Sequence, residues 1–322
     1  EGTASRYVTV LEGIQDYLGD DVRVMYSLGC HLYKDRTTGL AEANDRSSEV
    51  RGICAESDVI IAVMGMDATL EGEQGDTGNE YGCGDKPDLR LPGIQHDILR
   101  IAKESGKPVI LVVLCGSATA LTWEQEHLDA IVQGWYPGAQ GGMAIADILF
   151  GEANPQGKLP VTFYRTTEEL PDFEDYSMKG RTYRYMTQEA LYPFGYGLSY
   201  TTYDYSNVGF AGTPDIRQGV EIHFTVKNTG AMDGTETVQA YVKAKREDAP
   251  NAQLKGIRKV TLRAGEEKTL TIRLSPEAFQ LFNEDGIAEY AAEGYEISIG
   301  GSQPDARSCA LTGTKTHLLQ IV

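Results

Sequence analysis

Two glutamates, Glu71 and Glu73, stand two residues apart in the run LEGEQGD at residues 70–76, with a glycine after each or nearby. The run follows an apolar stretch, residues 59–64, that reads as a strand, and Gly65-Met66-Asp67-Ala68-Thr69 leads out of it. A carboxyl on a loop at the C-terminal end of a strand is where an open α/β sheet keeps its chemistry. There a glutamate can donate a proton to a leaving group and later take one from water, which is what glycoside hydrolysis needs. Solvated loop charges would give the same local sequence, so both readings stand on these residues alone.

The elements around the loop alternate. Residues 3–18 carry Val8, Leu11, Ile14 and Leu18 at helical spacing, residues 22–26 read as a short strand, and residues 43–57 as a helix with Val50, Ile53 and Cys54 on one face. Residues 59–64 are near-continuously apolar, as in a strand buried on both faces. Residues 95–105 predict a helix closed by Gly106, residues 109–115 a strand, and residues 123–127 the start of a helix. Residues 130–135 predict a strand and residues 141–150 a helix ended by Gly151. This order predicts an α/β doubly wound sandwich with a mostly parallel sheet and helices on both faces. Because the chain opens on a helix, the sheet is expected to lack its first strand here, with upstream sequence completing it.

Past residue 152, prolines and tyrosines mark an extended segment, and residues 219–322 alternate polar and apolar positions in short runs. Asn228-Thr229-Gly230 and Asn283-Glu284-Asp285-Gly286 supply turns between them, which predicts an all-β sandwich. The expected division is an α/β domain at 1–165 that carries the glutamate loop, an extended aromatic linker at 166–205, and a β-sandwich at 206–322.

Composition narrows the partners. A formal net charge of −18 and a pI near 4.7 supply no basic field for phosphates, so neither nucleic acid nor a membrane is an expected partner. A neutral substrate would not be repelled. The five cysteines, Cys30, Cys54, Cys83, Cys115 and Cys309, show no metal-ligand spacing and read as reduced thiols, which leans toward the cytoplasm. Residue 1 is not a natural start, so secretion stays open. The histidines are scattered and none is assigned a role. No glycine fingerprint follows the first strand-like run, which sets aside a nucleotide-binding reading.

Longer motifs carry a family resemblance. Trp135-Tyr136-Pro137-Gly138-Ala139-Gln140-Gly141-Gly142, then Ala146-Asp147-Ile148-Leu149-Phe150-Gly151, Asn154-Pro155-Gln156-Gly157-Lys158-Leu159-Pro160 and Tyr192-Pro193-Phe194-Gly195-Tyr196-Gly197-Leu198-Ser199-Tyr200-Thr201 resemble glycoside hydrolase family three. The resemblance covers essentially the whole chain. It implies that family's second α/β domain followed by its fibronectin type III domain, with the N-terminal (β/α)8 barrel absent from this chain.

In that family an aspartate of the barrel is the nucleophile, and a glutamate on a loop of the second domain is the acid/base. The family's spacing of Glu, two residues and Asp ahead of a Leu-Pro segment fits Glu73-Gln74-Gly75-Asp76 with Leu91-Pro92 beyond. No Arg follows Asp76, and residues 77–85, with their own Glu80, lengthen the loop. Glu73 is therefore the expected general acid/base. Glu71 is the second choice, or a ligand for sugar hydroxyls, and Asp67 and Asp76 are expected at the substrate.

The implied activity is that of an exo-acting retaining β-glycosidase removing terminal β-linked glucose or xylose, with no metal or organic cofactor. Its partners are an oligosaccharide or aryl β-glycoside and the barrel portion of the enzyme, in the same polypeptide or as a separate chain. Homo-oligomerisation is left open. The loop is expected to lean away from its own sheet toward the barrel, and Gly72, Gly75, Gly78, Gly82 and Gly84 suit that reach. The competing function is a non-catalytic carbohydrate- or protein-binding module when the chain is alone. Trp123, Trp135 and the tyrosines of the extended segment are expected to pack rather than to touch substrate. Gly138, Gly141 and Gly142 are read as tight packing at a helix start.

Overall fold

The computed structural model describes residues 3–34, 46–72 and 86–322. Contacts divide the chain into two compact units, Glu1–Ala153 with Tyr164–Glu169, and Asn154–Phe163 with Leu170–Val322.

In the first unit, β1 (Ile60–Gly65), β2 (Val109–Leu114) and β3 (Ala130–Gln133) form a parallel sheet in the order β1-β2-β3. Helices α1 (Val10–Leu18) and α5 (Gly141–Leu149) cover one face through Val10, Ile14, Val112 and Ile145. Helices α2 (Ser47–Glu56) and α3 (Gln95–Glu104) cover the other through Val50, Cys54, Ile98 and Val109. The short α4 (Thr122–His127) precedes β3. This is the expected doubly wound arrangement, its helices on both faces of a parallel sheet.

The continuous apolar run of β2 follows from its position. It pairs with β1 on one side and β3 on the other, and Val109, Leu111, Val112 and Val113 are fully buried. The similar run at residues 59–64 is not buried on both faces. β1 pairs only with β2 among the described residues, and Val59 and Val63 remain half exposed.

Residues 22–26 form no strand, and Val22 and Tyr26 are exposed. Their alternation finds no ladder to join, and only the half-buried Val24 packs against the α1/α5 core.

The first helix begins at Val10 rather than near residue 3. Val8 is committed elsewhere: its N–H donates to Ala139 O at 2.8 Å and its carbonyl accepts from Gly142 N at 3.1 Å. Thr9 then caps α1, its hydroxyl accepting from Glu12 N at 3.1 Å. The glycines at the start of α5 serve this contact. A Cβ on Gly142 would lie 2.0 Å from Thr9 O, and one on Gly13 would lie 2.2 Å from Gly142 O. The two helices cross at backbone contact, and the glycine cluster is a packing device.

In the second unit the sandwich is antiparallel. One sheet is ordered β12 (His317–Ile321), β11 (Tyr295–Gly300), β6 (Gly234–Ala244), β7 (Gln253–Leu262), and the other β4 (Tyr203–Phe210), β5 (Val220–Asn228), β8 (Glu267–Leu274). In chain order, α6 (Thr182–Tyr185) precedes β4, β5, β6, β7 and β8. The hairpin of β9 (Leu281–Phe282) and β10 (Ala288–Glu289), β11, α7 (Ala306–Thr312) and β12 complete it. Alternate residues such as Ile222, Phe224, Val226, Val238, Ala240, Val242, Ile297 and Ile299 fill the core. The aromatic residues between 170 and 205 group with this unit. Tyr183 stacks on Phe194 with centroids 4.1 Å apart, and Asn251 Nδ2 donates to Tyr183 O and Met186 O at 3.1 and 2.9 Å.

Gly142→Ala is expected to destabilise the α/β unit, because backbone on both sides would have to move apart. Overpacking of this kind costs about 1–3 kcal/mol, and a lowered midpoint in thermal or urea unfolding of the 322-residue chain would register it.

Candidate active site

The C-terminal edge of the parallel sheet gathers polar side chains from all three strand exits. After β1, Met66 N donates to Leu114 O at 2.8 Å, which keeps this exit aligned with β2. A turn follows in which Leu70 N and Glu71 N donate to Asp67 O at 3.0 and 3.1 Å. Leu70 is fully buried and seats the turn. Asp67 Oδ1 accepts from Thr69 N at 3.0 Å and from Thr69 Oγ1 at 2.5 Å, closing the turn with its own side chain.

Glu71 then reaches across the sheet edge. Gly116 N, just past β2, donates to its carboxylate at 2.6 Å. The Ser117 hydroxyl and the Tyr136 phenol, past β2 and β3, donate to the same carboxylate. Gly116 is required at its place: a Cβ there would sit 2.7 Å from the Tyr136 ring and 3.0 Å from the Glu71 carboxylate. Trp135, half-buried, adopts a φ of 53°, uncommon for a residue with a side chain, and this bend directly precedes Tyr136.

Burial acts to raise the Glu71 pKa. The hydrogen bonds from Ser117, Tyr136 and Gly116, with the nearby charge of Lys86, outweigh burial and hold the carboxyl below its ordinary value. Burial and the same hydrogen bond push the Tyr136 phenol up, so it stays a donor.

Lys86 stands where the described chain resumes after residue 72. Its ammonium donates to Arg90 O at 2.9 Å and lies 3.5 Å from the Met66 sulfur. Burial lowers its pKa, against the raising charges of Asp88, Cys115 and Glu71. Both roots of the intervening segment therefore meet at one edge of the sheet. Behind them, the buried Gln95 ties α3 to β1: its amide accepts from Gly65 N and donates to Gly65 O, both at 2.8 Å, and donates to Leu32 O at 2.7 Å.

Of the expected site residues, Glu71 and Asp67 lie at this edge, while Glu73 and Asp76, with Glu80, fall outside the described residues. Ser117, Tyr136, Gly116 and Lys86 were not anticipated. The strand-exit argument that singled out Glu71 applies equally to Gly116, Ser117 and Tyr136 after β2 and β3 as candidates, though not to their meeting; Lys86, ahead of α3, carries no such signal. Trp123 packs: it stacks on His127 at 4.5 Å and meets His96 edge-on at 5.1 Å, while His96 Nδ1 lies 2.7 Å from the buried Glu124 carboxylate. Among the described residues no group of three His, Cys, Asp or Glu could hold a metal ion, and no helix is long and apolar enough to cross a membrane.

Residues 1–200 match the glycosyl hydrolase family 3 C-terminal domain. The chain belongs to glycosyl hydrolase family 3. Residues 236–303 match the fibronectin type III-like domain, which places that domain in the sandwich. This family 3 chain is 43% identical over 260 residues to a xylan 1,4-beta-xylosidase of Xylanibacter ruminicola, covering 79% of this chain and 30% of the relative. It is 33% identical to a periplasmic beta-glucosidase of Salmonella typhimurium over 91% of this chain and 40% of the relative. The crystal structure of a Bifidobacterium adolescentis beta-glucosidase superposes with a TM-score of 0.81 at 25% identity, covering 100% of this chain and 46% of the other. The chain thus spans less than half the length of each of these three proteins.

A depressed folded-state pKa at Glu71 stabilises the protein above the unfolded pKa, and this contribution is lost as pH falls through the folded value. Tyr136→Phe removes one donor to the carboxylate, a bond of a type worth about 1.5–3 kcal/mol, less where solvent screens it. The variant is expected to lose stability at neutral pH and to match the parent in acid, where Glu71 is protonated. Urea unfolding at both pH values checks this.

Proposed function

We propose that this chain is the acid/base-bearing portion of an exo-acting retaining β-glycosidase that removes terminal β-linked glucose or xylose. An aspartate from an N-terminal barrel attacks the anomeric carbon while Glu73 protonates the departing oxygen. Glu73 then deprotonates water, which releases the sugar with retained configuration. The two carboxyls of such a pair work about 5–5.5 Å apart, so the glutamate must face a surface outside this chain.

The observation that carries the choice of Glu73 is the setting of Glu71. Three donors and a nearby ammonium favour the ionised form of Glu71. A proton donor needs the opposite, a pKa raised toward the working pH. Its oxygens are also occupied by groups of the chain itself, which disfavours a role on sugar hydroxyls. Glu71 acts as the root of the loop, and Glu73, two residues on, carries the proton. Membership of the family, and relatives named for xylosidase and glucosidase activity, support the reaction class and the two candidate sugars.

The test uses the enzyme with its barrel present. Glu73→Ala is expected to lower turnover about 10²–10⁴-fold on substrates with poor leaving groups. Aryl glycosides whose leaving group departs without a proton should lose far less, and added azide should yield a β-glycosyl azide. Equal losses on both substrate types would move the role away from Glu73. Parallel assays on aryl glucosides and xylosides decide the sugar.

A further inference from the structure

The unit that holds the sandwich carries a groove of about 620 Å³, within the range of roughly 300–1,000 Å³ typical of small-molecule sites. Its floor is the outer face of the β12-β11-β6 part of the sheet. Lys243 and Glu296 are cross-strand partners there, and their chain neighbours Val242, Ala244 and Ile297 point into the core. Residues 183–194 form one bank, and α7 with its flanking residues forms the other.

Three kinds of group line this groove. The half-buried Phe194 offers an apolar surface, its ring fixed by the Tyr183 stack, and Tyr183 meets Tyr241 edge-on at 6.5 Å. Lys243 and Lys315 are exposed donors that form no side-chain hydrogen bond or ion pair among the described residues. Arg307 commits only its Nε, to Leu191 O at 3.2 Å. Acceptors stand among them: Glu296, beside Lys243, has no side-chain partner among the described residues, and the buried Thr162 Oγ1 and Gln303 Oε1 form no hydrogen bond. A buried polar group left unpaired costs about 1–3 kcal/mol.

The charges select the ligand class. Three cations, Lys243, Lys315 and Arg307, are balanced in the lining by three anions, Glu189, Glu296 and Asp305, in a chain of net charge −18. Neither an anion nor a cation is favoured overall. Hydroxyl groups both donate and accept, so a polyhydroxylated ligand can use lysine, arginine and carboxylate together. A ring that also has a C–H face can lie on Phe194, whose π face is electron-rich.

We propose that this groove binds a short neutral oligosaccharide, one ring lying on Phe194 and its hydroxyls held among Lys243, Lys315, Arg307 and Glu296. The chemistry of the lining carries this inference; only the preference for β-linked chains as probes rests on the glycosidase reading.

The 322-residue chain suffices for the test, because binding is read without turnover. Calorimetric titration and saturation-transfer NMR with xylotetraose, cellotetraose and maltotetraose are expected to show binding on the order of 1 mM or tighter for a β-linked chain. The double variant Lys243→Ala/Lys315→Ala should weaken it by about tenfold or more, and Phe194→Leu likewise, with unfolding midpoints near that of the parent. If Phe194→Leu fails to fold, the lysine pair decides, since no hydrogen bond or ion pair among the described residues holds those exposed side chains. Absence of binding to all three tetrasaccharides, or unchanged affinity in the lysine variant, overturns the proposal. Binding of maltotetraose alone would keep the groove as a saccharide site and count against the β-glycosidase reading.

Discussion

One carboxylate, tied across the C-terminal edge of a parallel sheet, sets the geometry of the candidate site. Glu71 leaves β1 and is met by donors that leave β2 and β3, so three independent strand exits converge on two oxygens. Hydrogen bonds to an ionised acceptor are shorter and stronger than neutral ones. A loop rooted this way starts from a fixed point, whatever course it then takes. The tie also bears on which glutamate of the run can give up a proton. An environment rich in donors favours the ionised form of Glu71, whereas a proton donor needs surroundings of the opposite kind.

The tie depends on the sheet behind it. β2 is the central strand, with Val109, Leu111, Val112 and Val113 fully buried, so its exit at Gly116 and Ser117 is held by an element paired on both sides. Gly116 lets the phenol ring and the carboxylate approach the backbone closely. After β3 the chain bends at Trp135 into a conformation that costs on the order of 1–3 kcal/mol for a residue with a side chain. Tyr136 comes directly after this bend and gives its proton to Glu71. Gln95 adds the other support, pinning both backbone groups of Gly65 just before the loop begins. A strained bend and a closely packed glycine thus stand where the chain holds this charge.

The layered fold was legible because its signals are local. The apolar run of β2, the 3.6-residue period of α1 and the two-residue alternation of β5 and β11 each lie within a short stretch of sequence. The errors fall where distant contacts decide. Residues 22–26 alternate like a strand but have no ladder to join, and the start of α1 is delayed because Val8 bonds to Ala139. The same limit explains the site. Glu71 could be singled out from its place after a strand, yet its partners lie 45, 46 and 65 residues away, and nothing in the local sequence marks them as meeting. The motif holding Trp135-Tyr136-Pro137 carried the family resemblance without marking Tyr136 as a partner of Glu71.

The aromatic segment before the sandwich shows a second way to order chain that has little regular structure. Phe163 and Tyr192 form a lone antiparallel bridge, Leu159 N donates to Tyr196 O, and Gly195 N returns to Leu159 O, each of these two bonds at 2.8 Å. The buried Gln239 of β6 completes the seat by donating to Gly195 O and Gly301 O at 2.9 Å, while its own carbonyl accepts from Tyr241. A loop with these bonds satisfies its backbone without a strand or helix, which is what permits it to lie against a sheet. Phe194 sits between Pro193 and Gly195 in that seat, so its ring is presented by fixed backbone rather than by a free loop. Preorganised aromatic surface of this kind lowers the entropic cost of ligand ordering. That is why the bank holding Phe194, more than the exposed Lys243 of the floor or Lys315, gives the groove its shape.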